Sequence, residues 1–137
     1  MNNFAVNFRV YYEDTDAGGI VYHANYLKFC ERARTEWLRA MGMSQNKMLQ
    51  EKEGFVIVNI KAGFKESARL DDMLKVTCQV TKLKKVAISF HQQIFNEQNR
   101  LLFDLECDVA FLNFKTGIPR ALPADTYAYA KQFLESE

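Results

Sequence analysis

Between Ala24 and Met41 the apolar residues keep a helical period. Tyr26, Phe29, Cys30, Ala33, Trp37 and Met41 fall at i, i+3, i+4 and i+7 spacing and make one stripe. Lys28, Arg32, Thr35 and Arg39 make the opposite, polar stripe. Such a helix is roughly 27 Å long at about 1.5 Å per residue, and Gly42 stands where a C′ stop belongs. From Val56 to Phe111 the period is two instead, which is the mark of strands. One long amphipathic helix beside a run of short-linked strands leaves few folds open. The strands pair antiparallel, and the helix must bury its stripe on their sheet. The expectation is an α+β fold, an antiparallel sheet of five to six strands wrapped around one long helix.

In chain order, Phe4, Val6, Phe8 and Val10 share one face of a first strand running to Tyr11. Ser44 can cap a short helix reaching about Lys52, with Gly54 as its end. Val56, Val58, Ile60, Ala62 and Phe64 alternate in a second strand to about Glu66, and Ala68 to Asp72 is a turn. Leu74, Val76, Cys78 and Val80 define a third strand. After Lys84-Lys85 the pattern continues through Val86, Ile88, Phe90 and Ile94, with polar Gln92 on the same face. Glu97-Gln98-Asn99 closes a hairpin onto the longest strand, where Leu101, Phe103, Leu105, Cys107, Val109 and Phe111 oppose Asp104, Glu106 and Asp108. Lys115-Thr116-Gly117 ends that strand, and Ala124 to Leu134 reads as a terminal helix.

A chain of 137 residues reads as one domain, 1–137, long enough to bury a core. A net charge of +1, with no basic cluster beyond Lys82-x-Lys84-Lys85, argues against a nucleic-acid footprint. No signal peptide is read at the N-terminus, and no stretch approaches the ~20 apolar residues of a membrane helix. Cys30, Cys78 and Cys107 are odd in number, far apart and without Cys/His metal spacing. Reduced core thiols in the cytoplasm, with no metal, is the plain reading.

The chemistry concentrates just ahead of the long helix. Glu13-Asp14-Thr15-Asp16-Ala17-Gly18-Gly19 puts three carboxylates and two glycines in one turn. A helix N-terminus offers unpaired N–H groups and partial positive charge to a carbonyl oxygen that is developing negative charge. A carboxylate held upstream can attack that carbonyl or activate a water to do so. Gly18 and Gly19 let the backbone approach a ligand closely. The competing reading is a strand-to-helix turn whose Asp residues only satisfy backbone donors, and spacing alone favours it.

The run Asp14-x-Asp16-x-Gly18-Gly19-Ile20-Val21-Tyr22-His23-x-Asn25-Tyr26, followed by Phe29-x-Glu31-x-Ala33-Arg34, resembles the active-site segment of hotdog-fold acyl-CoA thioesterases. Within them it is most similar to the 4-hydroxybenzoyl-CoA thioesterase family and its YbgC branch. The resemblance extends through Ala68-Arg69-Leu70-Asp71-Asp72 to Pro119-Arg120-Ala121-Leu122-Pro123. One departure is Ser67, where many relatives have proline. The resemblance implies that Asp16 is the catalytic carboxylate and that the His23 backbone N–H polarises the thioester carbonyl. It also implies two subunits joined through their sheets, as a homodimer or homotetramer with active sites at the seam.

Around these residues, Gly18, Gly19, Tyr22 and Tyr26 are candidates to bind substrate, with Phe29 beside them along the helix. The His23 imidazole either meets substrate or packs at the helix start, and Asp14 and Glu13 are placed to tune Asp16. Glu31 is a reserve carboxylate, with an i,i+3 partnership to Arg34 as the preferred reading. His91 reads as solvated or interfacial, and Asp71-Asp72 as a solvated turn. Arg69, Lys82, Lys84, Lys85, Lys115 and Arg120 carry no motif that would assign the CoA nucleotide. The expected function is hydrolysis of a small or medium acyl-CoA, or of an acyl-carrier-protein thioester, without a cofactor. The alternative is a non-catalytic acyl-CoA or acyl-carrier-protein binding module of the same fold, and a dehydratase is a weaker third.

Overall fold

The computed structural model describes residues 3–135. In order come β1 (Phe4–Arg9), a 3-10 turn (Tyr12–Asp14), α1 (Asn25–Arg39), α2 (Gln45–Gln50) and β2 (Glu53–Phe64). Then follow β3 (Met73–Leu83), β4 (Ala87–Phe95), β5 (Leu101–Asn113), β6 (Ile118–Pro119) and α3 (Ala124–Lys131). The strand order is β1-β3-β4-β5-β2, with β6 also on β5, and every pairing is antiparallel. The sheet curls around α1, which lies nearest to β1, β3 and β4. The α+β arrangement expected from the two periodicities is the one observed.

The apolar stripe of α1 explains its seat. Phe29, Cys30, Ala33 and Trp37 have no exposed surface, and burying each large side chain contributes roughly 1.5–3 kcal/mol. Facing them are the alternate residues of β3, β4 and β5, among them Val76, Ile88, Ile94 and Phe103. The helix ends at Arg39, two residues short of the expected Met41, with Ala40 as its cap. Gly42 then turns the chain at φ +91, a conformation that an L side chain resists.

Three boundaries differ from expectation, each for a physical reason. Ser44 does cap α2, accepting from the Lys47 N–H at 3.3 Å, but Gly54 does not end that helix. The reversal comes at Lys52 (φ 57), and Gly54 lies inside β2, where the Phe114 ring fills the space of a side chain. A Cβ on Gly54 would stand 2.7 Å from Phe114 Cζ. The second strand therefore begins at Glu53, and it carries a register shift between Ile57 and Asn59. The third difference is α3, which stops at Lys131 because the residues after it pair with β3. Val80 N–H donates to Phe133 O, Glu135 N–H donates to Val80 O, and Gln79 Nε2 also donates to Phe133 O.

Candidate active site

Val10 fixes where the loop begins. Its N–H donates to Asp72 O and its own carbonyl accepts from Asp71 N–H, so the end of β1 is clamped to the 68–72 turn. The chain then makes the 3-10 turn, and Asp14 goes inward, 3% exposed. A buried carboxylate is costly unless its oxygens are bonded. Here Oδ2 accepts from the Tyr11 N–H and Oδ1 from Asn25 Nδ2, both at 2.8 Å. The Asp14 carbonyl also accepts from the Tyr22 N–H at 2.9 Å. Asp14 thus binds the start of the loop to the start of α1.

Asp16, two residues on, is exposed. Its N–H donates to Ile20 O and its carbonyl accepts from Gly19 N–H, which closes a tight loop. Oδ1 accepts from the Gly18 N–H at 2.8 Å, which orients the carboxylate, and no bond to Oδ2 is found among the described residues. Gly19 has φ +79, and a Cβ on Gly18 would press within 3.3 Å of Asp16 Oδ1. Gly19 is favoured by its backbone conformation, and a side chain at Gly18 would push the Asp16 carboxylate aside by a few tenths of an ångström. Bridges from Thr15 to Val21 and from Ile20 to Arg69 seat the loop on the rest of the chain.

Tyr22 and His23 precede α1 with exposed rings, whose centroids are 4.4 Å apart. The His23 ring also stands edge-on to Phe64 at 6.5 Å. Its backbone N–H has no acceptor among the described residues, and it sits at the positive end of a 15-residue helix. No side chain caps that end. An unspent N–H at a helix start can polarise a carbonyl, and an exposed carboxylate can attack one, directly or through water.

Tyr26 lies deeper than the other expected substrate contacts. It is 4% exposed, stacks on Phe103 and accepts the Ala68 N–H at its hydroxyl, 2.9 Å away. Burial pushes its phenol up, the Ala68 bond opposes this, and the negative charges of Asp72 and Asp16 push it up further. It forms the floor beneath the loop, and Phe29 is buried likewise.

The remaining candidates separate cleanly. Arg34 does not pair with Glu31; its Nη1 turns inward to Gln92 Oε1 at 2.7 Å. The preferred i,i+3 partnership fails because Gln92, fully buried, needs a donor more than an exposed Glu31 does. His91 faces away from the core and meets Asp104 at 2.7 Å, while Gln93 holds the same carboxylate. Asp72 Oδ2 accepts from the Arg69 N–H within its turn, and no metal-ligating cluster occurs among the described residues. Arg120 is paired with Glu53. All three cysteines are buried. Burial pushes the Cys30 thiol up to about 12 and raises Cys78 and Cys107 as well, so none supplies a thiolate nucleophile near neutrality.

Sequence reasoning missed the anchor formed by Asp14 and Asn25, and the Arg34–Gln92 contact. The second had a legible signal, since Gln92 is a polar residue on an otherwise apolar strand face. The first had none, because Asp14 and Asp16 look alike in a turn.

Known proteins share both sequence and shape with this chain. The thioesterase-like superfamily matches residues 10–130. The acyl-CoA thioester hydrolase YbgC of Escherichia coli O6:H1 is 44% identical over 124 residues, covering 90% of this chain and 92% of that protein. The acyl-CoA thioesterase YbgC of Haemophilus influenzae is 40% identical, covering 93% of each. The crystal structure of a probable thioesterase from Bartonella henselae superposes with a TM-score of 0.82 at 31% identity, covering 89% of this chain and 100% of that one. Likeness of this extent in sequence and in three dimensions fixes the family, and the chain belongs to the thioesterase-like superfamily.

Proposed function

We propose that this chain hydrolyses the thioester bond of acyl-CoA, with the whole of 1–137 acting as one thioesterase domain. Two observations support the reading: Asp16 is exposed with Oδ1 held by the Gly18 N–H, and the His23 N–H ahead of α1 has no acceptor among the described residues. The thioester carbonyl oxygen accepts from that N–H, and negative charge gathers there as the tetrahedral species forms. Asp16 either takes a proton from the attacking water or attacks through its own oxygen and is then hydrolysed. In both cases the carbon–sulfur bond breaks, CoA leaves as the thiol and the acyl group leaves as a carboxylic acid. Gly18 and Gly19 keep the loop close to the substrate, Tyr22 flanks it and Tyr26 supports it from below. The step draws on no cofactor.

The same reading takes the active unit to be a homodimer, or a homotetramer built from it, working in the cytoplasm. β2 has one strand neighbour, and Ile57, Val58, Ile60 and Phe64 on it are exposed. An open, apolar edge of this kind is a liability unless another strand covers it. Phe64 at one end of β2 meets His23 and Tyr26, whereas Phe55 near the other end lies beside the second half of α1. A two-fold β2–β2 seam reverses the strand, so the catalytic corner of one copy lies beside the Phe55 end of the other. Acyl carrier protein is a second carrier that an open site of this kind can accept.

Release of free thiol from a panel of acyl-CoAs tests the reading. Hydrolysis above the buffer rate for at least one acyl chain supports it. Tight binding without turnover across the whole panel favours the binding module instead.

A further inference from the structure

Asn25 and Tyr26, the first two residues of α1, reach opposite limbs of the loop that carries Asp16. Asn25 holds the outgoing limb directly, through Asp14. Tyr26 holds the returning limb at one remove. Its ring is fixed by Phe103, stacked at 5.1 Å, and by Phe64, edge-on at 5.8 Å. Its hydroxyl oxygen accepts the Ala68 N–H at 2.9 Å, and the Ala68 carbonyl accepts the Val21 N–H, also at 2.9 Å. On the same side, the Ile20–Arg69 bridge and the Leu70 N–H on Gly19 O, 3.4 Å away, continue the seam. The returning limb in turn holds Asp16, whose N–H donates to Ile20 O at 2.9 Å. One phenol oxygen therefore joins α1 to the 68–72 turn on which Gly19, Ile20 and Val21 rest. Ala68 has no exposed surface, and its N–H meets no other acceptor among the described residues. Buried backbone donors are nearly always paired, so without that oxygen the turn must shift or admit water.

We propose that Tyr26 is a positioning residue whose hydroxyl, as an acceptor, sets where Asp16 stands relative to the start of α1. It acts through Ala68 and the loop, and its 4% exposure leaves little surface for a ligand. The effect on rate rests on the hydrolase reading. A group that acts by placing the reacting carboxylate lowers kcat when removed and leaves KM nearly unchanged.

Tyr26→Phe keeps the ring and removes the acceptor. Well below its thermal midpoint, kcat on the best acyl-CoA should fall by about ten-fold or more, with KM within about two-fold of the parent. Backbone amide exchange, read by NMR without substrate, should quicken at Val21, Ala68 and Leu70 and keep the parent rate in β3, β4 and β5. In Asp16→Asn protein the carboxylate is already gone, so adding Tyr26→Phe should lower the residual rate by less than about two-fold, whereas a general loss of structure would multiply through. Site-specific 3-fluorotyrosine at position 26 weakens the oxygen as an acceptor and strengthens its O–H as a donor, and it carries the test if Tyr26→Phe does not fold. With it, kcat should fall by a smaller factor; a rise would make the hydroxyl a donor to substrate and overturn the proposal. Unchanged kcat in Tyr26→Phe, or exchange that quickens throughout the sheet, would also overturn it while leaving hydrolysis intact. Quickened exchange confined to the loop and the 68–72 turn, in a protein whose parent hydrolyses no acyl-CoA, would sustain the positioning role and overturn the hydrolase reading.

Discussion

Asn25 Nδ2 donates to Asp14 Oδ1 at 2.8 Å, joining the first residue of the long helix to a carboxylate two positions before the exposed Asp16. The two aspartates divide the work. Asp14 is buried and holds the loop, and Asp16 is open and available for chemistry. Asn25→Leu keeps the side-chain size but leaves a buried carboxylate oxygen unpaired. The expected loss is about 1–3 kcal/mol, read as a lower urea midpoint with an unchanged slope. A midpoint equal to the parent's would show that the contact does not hold the loop.

Gly18→Ala tests the loop from the other side. Its new Cβ would press at 3.3 Å on Asp16 Oδ1 and tilt the carboxylate. Turnover should fall by roughly ten-fold or more, since small misplacements of a reacting group are costly. The thermal midpoint should barely move, because the position is exposed. Full activity would mean that the orientation of Asp16 is immaterial.

The buried thiols set an alkaline limit on stability. In the folded chain the Cys30 thiol is raised from 9.0 to about 12 by burial. The unfolded chain therefore loses its proton first, and the stability present below pH 9 is lost as pH climbs towards about 12. The slope is up to ~1.4 kcal/mol per pH unit for one such group. Cys78, Cys107, Tyr26 and Tyr129 are shifted in the same direction. Urea midpoints should fall between about pH 9 and pH 11, and Cys30→Ala should flatten the fall. Near neutrality, mild alkylation and chelator should leave hydrolysis unchanged. Rapid inactivation by one equivalent of alkylating reagent, with protection by substrate, would make a thiol part of the site.

The exposed apolar edge predicts assembly. Light scattering at micromolar concentration should give two or four chains. Val58→Asp, at a position 65% exposed in the single chain, should shift the mass towards one chain and lower activity with it. A parent protein that is monomeric and fully active would contradict the seam.

Much of this was legible in residue order. The period of α1 predicted its buried face, because tertiary packing uses the same stripe that the spacing shows. Alternation likewise gave β3, β4 and β5, whose inward residues are the core. The edges were less legible. β2 alternates in sequence, yet Ile57, Val58 and Ile60 are exposed beside a register shift, since an edge strand's second side waits for a partner that the sequence does not name. β6 is two residues long and pairs only through the end of β5, so no period could reveal it. Within the site, the turn, the two glycines and the helix start were readable from composition. Which aspartate goes inside was not, because Asn25 decides it across the loop.

Asp16 is the central residue of the proposed hydrolysis. Asn is nearly isosteric, and its side-chain oxygen can still accept from the Gly18 N–H, so Asp16→Asn should keep the fold to within about 1 kcal/mol. It cannot act as a general base and is a poor nucleophile. Free-thiol release from the best acyl-CoA substrate, measured at saturation for parent and Asp16→Asn side by side, should show a fall in kcat of about 10²–10⁴-fold or more, with substrate binding retained. Hydrolysis by the variant within a few-fold of the parent would contradict the account and shift the chemistry to Glu31 or His23.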